Sequence, residues 1–228
     1  MKFSTYSALA ATLFTPATSA AFDQNRGGAV LKAPEDSSFT SAAGTFTVPT
    51  LTGSNKLSIW VAIGDTLQQD IVLKGGITYS NGLTSFAAWY PDKEIDITSD
   101  IPISAGDSVT ITVSVPADDK SNGTVIVENT TQNKKSTQII PVPAKADPAT
   151  LTSLAADWFV QAYQEAGELV QVPQFDSISF TKASATLANG TTIGPDGAGV
   201  FEIQGTSGQI YSSTTVTADG ITVRQQQQ

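Results

Sequence analysis

The sequence predicts an all-β protein, an antiparallel sandwich or barrel. Three observations carry this. Short apolar runs recur along the chain with period-two alternation. Gly, Pro, Asn and Asp break the runs at short intervals. One stretch alone holds a sustained helical spacing. The cleanest alternation is 107–115, where Val109, Ile111, Val113 and Val115 alternate with Ser and Thr. That pattern expects a strand with one buried and one wet face.

Taken in order, the chain opens with Lys2, an apolar run over 6–14 and the small residues Thr18-Ser19-Ala20. This reads as a secretory signal peptide over 1–20, too short to span a bilayer. A single domain is expected over 21–224, since no break in composition divides it. The expected mature chain opens with the stretch 25–31, and a first strand-like run follows at 44–48, stopped by Pro49. A meander is expected over 57–92. Its first run places Leu57, Ile59, Val61 and Ile63 on one face, and Ser58, Trp60 and Ala62 on the other. Asn81-Gly82 is the dipeptide of a tight hairpin, because both residues tolerate positive φ. Further strands are expected at 107–115, 123–128, 135–142, 171–181, 183–188, 200–204, 209–211 and 221–224. The glutamines of 225–228 are expected to form a disordered tail.

The segment 151–170 resists this pattern. Leu151, Leu154, Ala155, Trp158, Ala162, Ala166 and Leu169 recur at helical spacing. As a strand it would place Asp157, Phe159, Gln161 and Tyr163 on one face. The spacing leaves both open.

Composition excludes several function classes. The chain has no cysteine and no histidine, so Ser-His-Asp triads, cysteine nucleophiles and His- or Cys-ligated metals are absent. No cofactor and no metal site are expected. Acids outnumber bases 21 to 12, which argues against nucleic acid or an anionic membrane as partner. Given a signal peptide, Asn122, Asn129 and Asn189 head glycosylation sequons.

Several motifs together resemble the fungal glutamic peptidases, the eqolisins. They are Asn25-Arg26-Gly27-Gly28-Ala29-Val30, Ile59-Trp60-Val61-Ala62-Ile63-Gly64-Asp65, the Lys74-Gly75-Gly76 that follows Leu73, Trp89-Tyr90-Pro91-Asp92, and the blocks that begin at Ile103, Val127, Ala156 and Val172. The likeness spans nearly the whole expected mature chain. It implies a concanavalin-like sandwich of two large sheets, one concave and holding an extended peptide. It also implies a strand, not a helix, over 156–163.

The resemblance further implies a dyad. A glutamate is general base on water and then general acid; a glutamine amide stabilises the oxyanion. The family's glutamine lies in I-L-Q-T-G, eight residues after the aspartate of G-D-T, which lands here on Leu73 when counted from Asp65. Its glutamate closes an A-E-aromatic-x-x-E pattern, which lands on Gln161. Both positions are then substituted. Glutamine cannot exchange the proton, a role worth about 10²–10⁴-fold, and leucine offers no donor, worth about 10²–10³-fold. The family's N-terminal tryptophan is Arg26 here, its I-D-G-D turn has lost the first aspartate to leave Ile63-Gly64-Asp65, and the glutamate of W-Y-E-W-Y-P is Ala88.

The expected function is thus a secreted, extracellular, catalytically silent or impaired eqolisin-like protein. Its cleft would bind extended peptide or glycan through Trp60, Asp65, Trp89, Tyr90, Asp157 and Trp158, and the chain would be a monomer. One alternative is an active acid endopeptidase using a relocated carboxylate such as Asp157, Asp65 or Glu165. Another is a secreted structural protein without ligand.

Overall fold

The computed structural model describes residues 20–64, 71–144, 154–165, 168–169 and 172–226. The expected signal peptide lies outside them, apart from Ala20. Among the described residues there is no helix, and two eight-stranded sheets face each other.

Sheet A runs in the order β1 (Ala21–Asp23), β16 (Gly199–Ile203), β2 (Arg26–Lys32), β11 (Ala155–Ala162), β4 (Leu57–Gly64), β5 (Val72–Tyr79), β6 (Leu83–Tyr90), β7 (Ile95–Asp96). Sheet B runs β10 (Lys134–Pro141), β9 (Asn122–Asn129), β8 (Ser108–Ser114), β3 (Phe39–Thr47), β14 (Ser177–Leu187), β18 (Gly220–Gln225), β17 (Ser212–Thr217), with β15 (Thr192–Ile193) beside β14. A small ladder of β12 (Gln164–Glu165) and β13 (Glu168–Leu169) stands apart. Only β1 with β16 pairs in parallel among these ladders; the others are antiparallel, as short connections between sequential strands allow.

The inner faces make one apolar core. Val109, Ile111 and Val113 of β8 and Val125 and Val127 of β9 meet Ile63, Leu73, Ala87, Trp89, Trp158 and Val160 of sheet A. Packing is close: a Cβ on Gly123 would lie 2.6 Å from Leu73 Cδ2 and 2.8 Å from Trp89 Cζ3. Trp158 is wholly buried and its indole N–H donates to the Ala43 carbonyl at 2.9 Å, so this polar atom is satisfied inside the core.

Within the segment with helical spacing, Ala155–Ala162 is strand β11 and β12 and β13 follow it, while Leu151 and Ala166 lie outside the described residues. Strand β11 pairs β2 on one side and β4 on the other. Both of its faces are buried, Ala156, Trp158, Val160 and Ala162 inward and Ala155 and Phe159 outward. A strand apolar on both faces loses the alternation that would have identified it.

Smaller expectations are corrected as well. The β5–β6 turn is a three-residue loop with only Asn81 at positive φ, 59°. Ser177–Thr181 of the run at 171–181 and Ala183–Leu187 of the run at 183–188 belong to one strand, β14, with a register shift between Thr181 and Ser184 where Lys182 takes φ 53°. No strand forms at 209–211 beyond an isolated bridge of Ile210 with Gln204; β17 begins just after it, at Ser212. Gln225 is the last residue of β18 and its side chain accepts from Phe175 N at 2.9 Å, while Gln226 N donates to Tyr211 O at 2.9 Å. The expected tail is thus partly built into sheet B, and 227–228 lie outside the described residues.

Two motifs of the resemblance meet in a buried clamp. Asp107 Oδ2 accepts from Ser104 N at 2.8 Å, Asn129 Nδ2 at 2.7 Å and Gln132 Nε2 at 2.6 Å. Asn129 Nδ2 also donates to Pro102 O at 3.0 Å. Asn129 is fully buried, so its amide is committed inside the fold and cannot carry a glycan; that sequon is corrected. Asn122 and Asn189 are exposed.

Burial acts to raise the Asp107 pKa, but the bonds from Asn129, Ser104 N and Gln132 outweigh it, and the net value lies below the ordinary 3.8. A depressed carboxylate stabilises the fold above its unfolded pKa and loses that contribution as pH falls through the folded value. Asp107→Ala should therefore destabilise by about 3 kcal/mol near neutrality, since three donors lose a charged acceptor. The gap from wild type in chemical unfolding should hold down to about pH 4 and shrink below it.

Candidate functional site

Turning from the inner to the outer face of sheet A reverses the expected site. In a strand adjacent residues point to opposite faces. Leu73 is wholly buried in the core between the sheets, whereas Gln161 shares the outer face with Trp60. Leu73 is therefore not across a cleft from Gln161, and this expectation is corrected. Trp89 and Trp158, expected as cleft contacts, are also wholly or almost wholly buried between the sheets. Of the expected binding residues, Trp60, Tyr90 and Asp157 lie on the outer face, and Asp65 lies outside the described residues.

What the outer face of strand β5 presents is Lys74. Counted from Ile63, the family's I-D-G-D-T turn and its spacing to the glutamine also end on Lys74 without a gap. In the same register Val72-Leu73-Lys74-Gly75-Gly76 overlies I-L-Q-T-G. Counting from Asp65 loses one residue, because the turn here is shortened by one.

The ladders arrange this face in rows. Phe86, Gly76, Trp60, Phe159, Gly28 and Phe201 are successive register partners across β6, β5, β4, β11, β2 and β16. The Trp60 and Phe159 ring centroids are 5.1 Å apart and those of Phe159 and Phe201 5.8 Å. The two glycines make the row possible. A Cβ on Gly76 would collide with the Ile59 carbonyl and sit 2.8 Å from Trp60 Cβ. Gly28 adopts φ +151°, and a Cβ there would collide with the Trp158 carbonyl and reach 2.9 Å from the Phe159 ring. Among the described residues no second sheet covers this side, yet Trp60, Phe86 and Phe159 are buried. The row is the floor of a candidate recess.

Two rows that carry polar side chains flank it. On one side Ala88, Lys74, Ala62, Asp157 and Val30 are in register. On the other, Thr78, Ser58, Gln161 and Arg26 are in register. Cationic stems cap the aromatic floor. Lys74 Nζ lies 5.9 Å from the Trp60 centroid and 5.3 Å from that of Phe86, and Arg26 Cζ lies 5.3 Å from Phe159. Each is paired: Lys74 Nζ to Glu94 Oε1 at 2.9 Å and Arg26 Nη2 to Asp23 Oδ2 at 2.7 Å.

Gln161 reaches the same indole from its other edge, Trp60 Nε1 donating to Gln161 Oε1 at 2.9 Å. An indole N–H can only donate, so the amide orientation is fixed: oxygen on the indole, NH₂ available to the recess. Beside it Tyr163 Oη contacts Ser58 Oγ at 2.8 Å, and Ser58 Oγ contacts Thr78 Oγ1 at 2.7 Å. Burial raises the Tyr163 pKa most; the Ser58 bond opposes it, Glu94 adds to it and Lys74 opposes it. The Lys74–Glu94 pair is thus within electrostatic reach of Tyr163. Asp157 is fully buried on this face.

Lys74, Glu94, Arg26, Phe86, Phe159 and Tyr163 were not among the expected contacts. A count from Ile63 would have found Lys74, and the alternation around Gln161 would have found Phe159 and Tyr163. Among the described residues no group of three or more Asp, Glu, His or Cys side chains could hold a metal ion. Among the described residues no helix is long and apolar enough to cross a membrane.

Two opposed sheets, with a recess on the outer face of one, define the class: the fold is that of the glutamic peptidases. The structure of scytalido-glutamic peptidase with a transition state analog inhibitor superposes with TM-score 0.77 at 24% identity, covering 89% of this chain and 98% of that one. Aspergilloglutamic peptidase from Aspergillus niger gives TM-score 0.65 at 32% identity, covering 75% of this chain and 99% of the other. By sequence, residues 24–225 match the Peptidase A4 family, and the chain belongs to that family. It is 33% identical to Aspergillopepsin-2 of Aspergillus niger, over 90% of this chain and 79% of that protein. Scytalidopepsin B of Scytalidium lignicola is 28% identical, over 82% of this chain and 72% of that one.

Proposed function

We propose that this protein is a secreted, catalytically silent member of the Peptidase A4 family whose recess holds an extended peptide without cutting it. One observation carries the proposal: the two side chains that meet at Trp60 are Lys74 and Gln161. Hydrolysis by a glutamate–glutamine dyad needs a group that takes a proton from water and returns it to the leaving amine. Gln161 has no such proton. Lys74 is a cation whose ammonium is engaged by Glu94, and it has no lone pair with which to activate water. A peptide as occupant is supported by relatives of the same fold, solved with a peptide based transition state analog and with the tripeptide Ala-Ile-His. Secretion is supported by the residue pattern of 1–20.

Asp157 favours a second reading, an acid endopeptidase with a moved carboxylate, because it lies on the recess face of the strand that carries Gln161. Incubation with unfolded casein from about pH 2 to about pH 7 separates the two. The silent protein yields no fragments above blank at any pH. Fragments that disappear in Asp157→Ala would establish the second reading instead.

A further inference from the structure

Lys74 and Gln161 are both donors. The ammonium has three N–H groups and no acceptor, and the Gln161 oxygen is already taken by the indole, which leaves its NH₂. A glutamine beside a glutamate would offer one donor and one proton acceptor. Here the pair offers a cation and an amide donor, and the partner chemistry that fits is an anion with several lone pairs. The recess already takes one carboxylate: Glu94 Oε1 sits 2.9 Å from Lys74 Nζ. Glu94 is itself exposed, reaching in from the connection between β6 and β7, with a third of its side-chain surface open to solvent. It is an exchangeable occupant.

The geometry points to a site for the free C-terminal carboxylate of a peptide, held between the Lys74 ammonium and the Gln161 amide with Glu94 displaced. This rests on the peptide-groove proposal and adds the ligand's end group. The aromatic floor of Phe86, Trp60 and Phe159 makes the surroundings of Lys74 poor in water, which strengthens an ion pair formed there. The same surroundings disfavour a neutral carboxamide, which would leave the ammonium without its counter-charge once Glu94 is moved.

The test compares peptides of one sequence with a free C-terminal acid and with a C-terminal amide, titrated near pH 6 by calorimetry. A third peptide carries the terminal amide and an internal glutamate. The acid should bind about ten- to hundredfold more tightly than the amide, the range of a charge-assisted hydrogen bond. That ratio should fall to about one in Lys74→Met, which keeps an apolar stem over Trp60. Glu94→Gln, a change at a partly exposed position, should tighten binding of the acid by removing its competitor. Equal binding of acid and amide would overturn the carboxylate site and leave the groove standing. An internal glutamate that binds as tightly as the free terminus would overturn the assignment to a chain end. If none of the peptides binds, the groove proposal fails and this one with it.

Discussion

Lys74→Gln combined with Gln161→Glu is expected to turn the recess into an acid-dependent peptidase. The pair exchanges a cation held by Glu94 for a neutral amide free to serve as oxyanion donor, worth about 10²–10³-fold, and restores a proton-exchanging group, worth about 10²–10⁴-fold. Residues acting as a unit do not add, so each single variant should remain close to wild type. Activity should appear only at low pH. The glutamate introduced at 161 would share its strand face with the buried Asp157, and a like charge together with burial raises a carboxyl pKa. The raised pKa keeps the protonated form, which donates to the leaving amine, populated through the acid range, and it is lost toward neutrality. Glu94 loses its partner in this variant but is exposed enough to remain solvated. Fragments of unfolded casein, quantified by mass spectrometry for the double variant, both singles and wild type, check the expectation. Equal activity in the Gln161→Glu single and the pair would show that position 74 is not the donor.

Leu73→Gln should do the opposite, with no gain in turnover and a loss of about 3–5 kcal/mol of stability. Leu73 is wholly buried against Trp89 and Gly123. An amide there forfeits apolar burial and leaves polar atoms unsatisfied between the sheets. Urea unfolding of the variant at neutral pH measures the loss. A change within a few tenths of a kcal/mol would mean that residue 73 does not point inward. The two variants differ by one position in strand β5, and their opposite outcomes follow from the period of two.

That period explains what could be read from the sequence and what could not. The β8 alternation gave its strand and its buried face directly, because one side is Val and Ile and the other Ser and Thr. Strands β4, β5, β6 and β11 are mostly buried on both sides. Their residues show no polar–apolar contrast from which to assign faces. Trp89 and Trp60 are equally aromatic in the sequence, yet one lies between the sheets and the other on the recess floor. The one-residue shortening at Ile63-Gly64-Asp65 then sufficed to move the counted dyad position from Lys74 to Leu73. The aromatic floor was hidden for another reason. Its members come from four strands spread between Trp60 and Phe201, and only the ladder register brings them into one row. Gly28 and Gly76 are legible as glycines, but their purpose, room for Phe159 and Trp60, depends on which strands lie beside them.

The most direct test of silence at Lys74 and Gln161 is a single-turnover experiment. Wild-type protein in excess is mixed with an unstructured peptide near pH 3, where a carboxyl-based peptidase would be favoured, and the peptide mass is followed overnight. The expected result is an intact peptide, with cleavage no faster than in buffer. Cleavage by the wild-type chain, lost on Asp157→Ala, would place a working acid–base group in the recess and contradict the silent assignment.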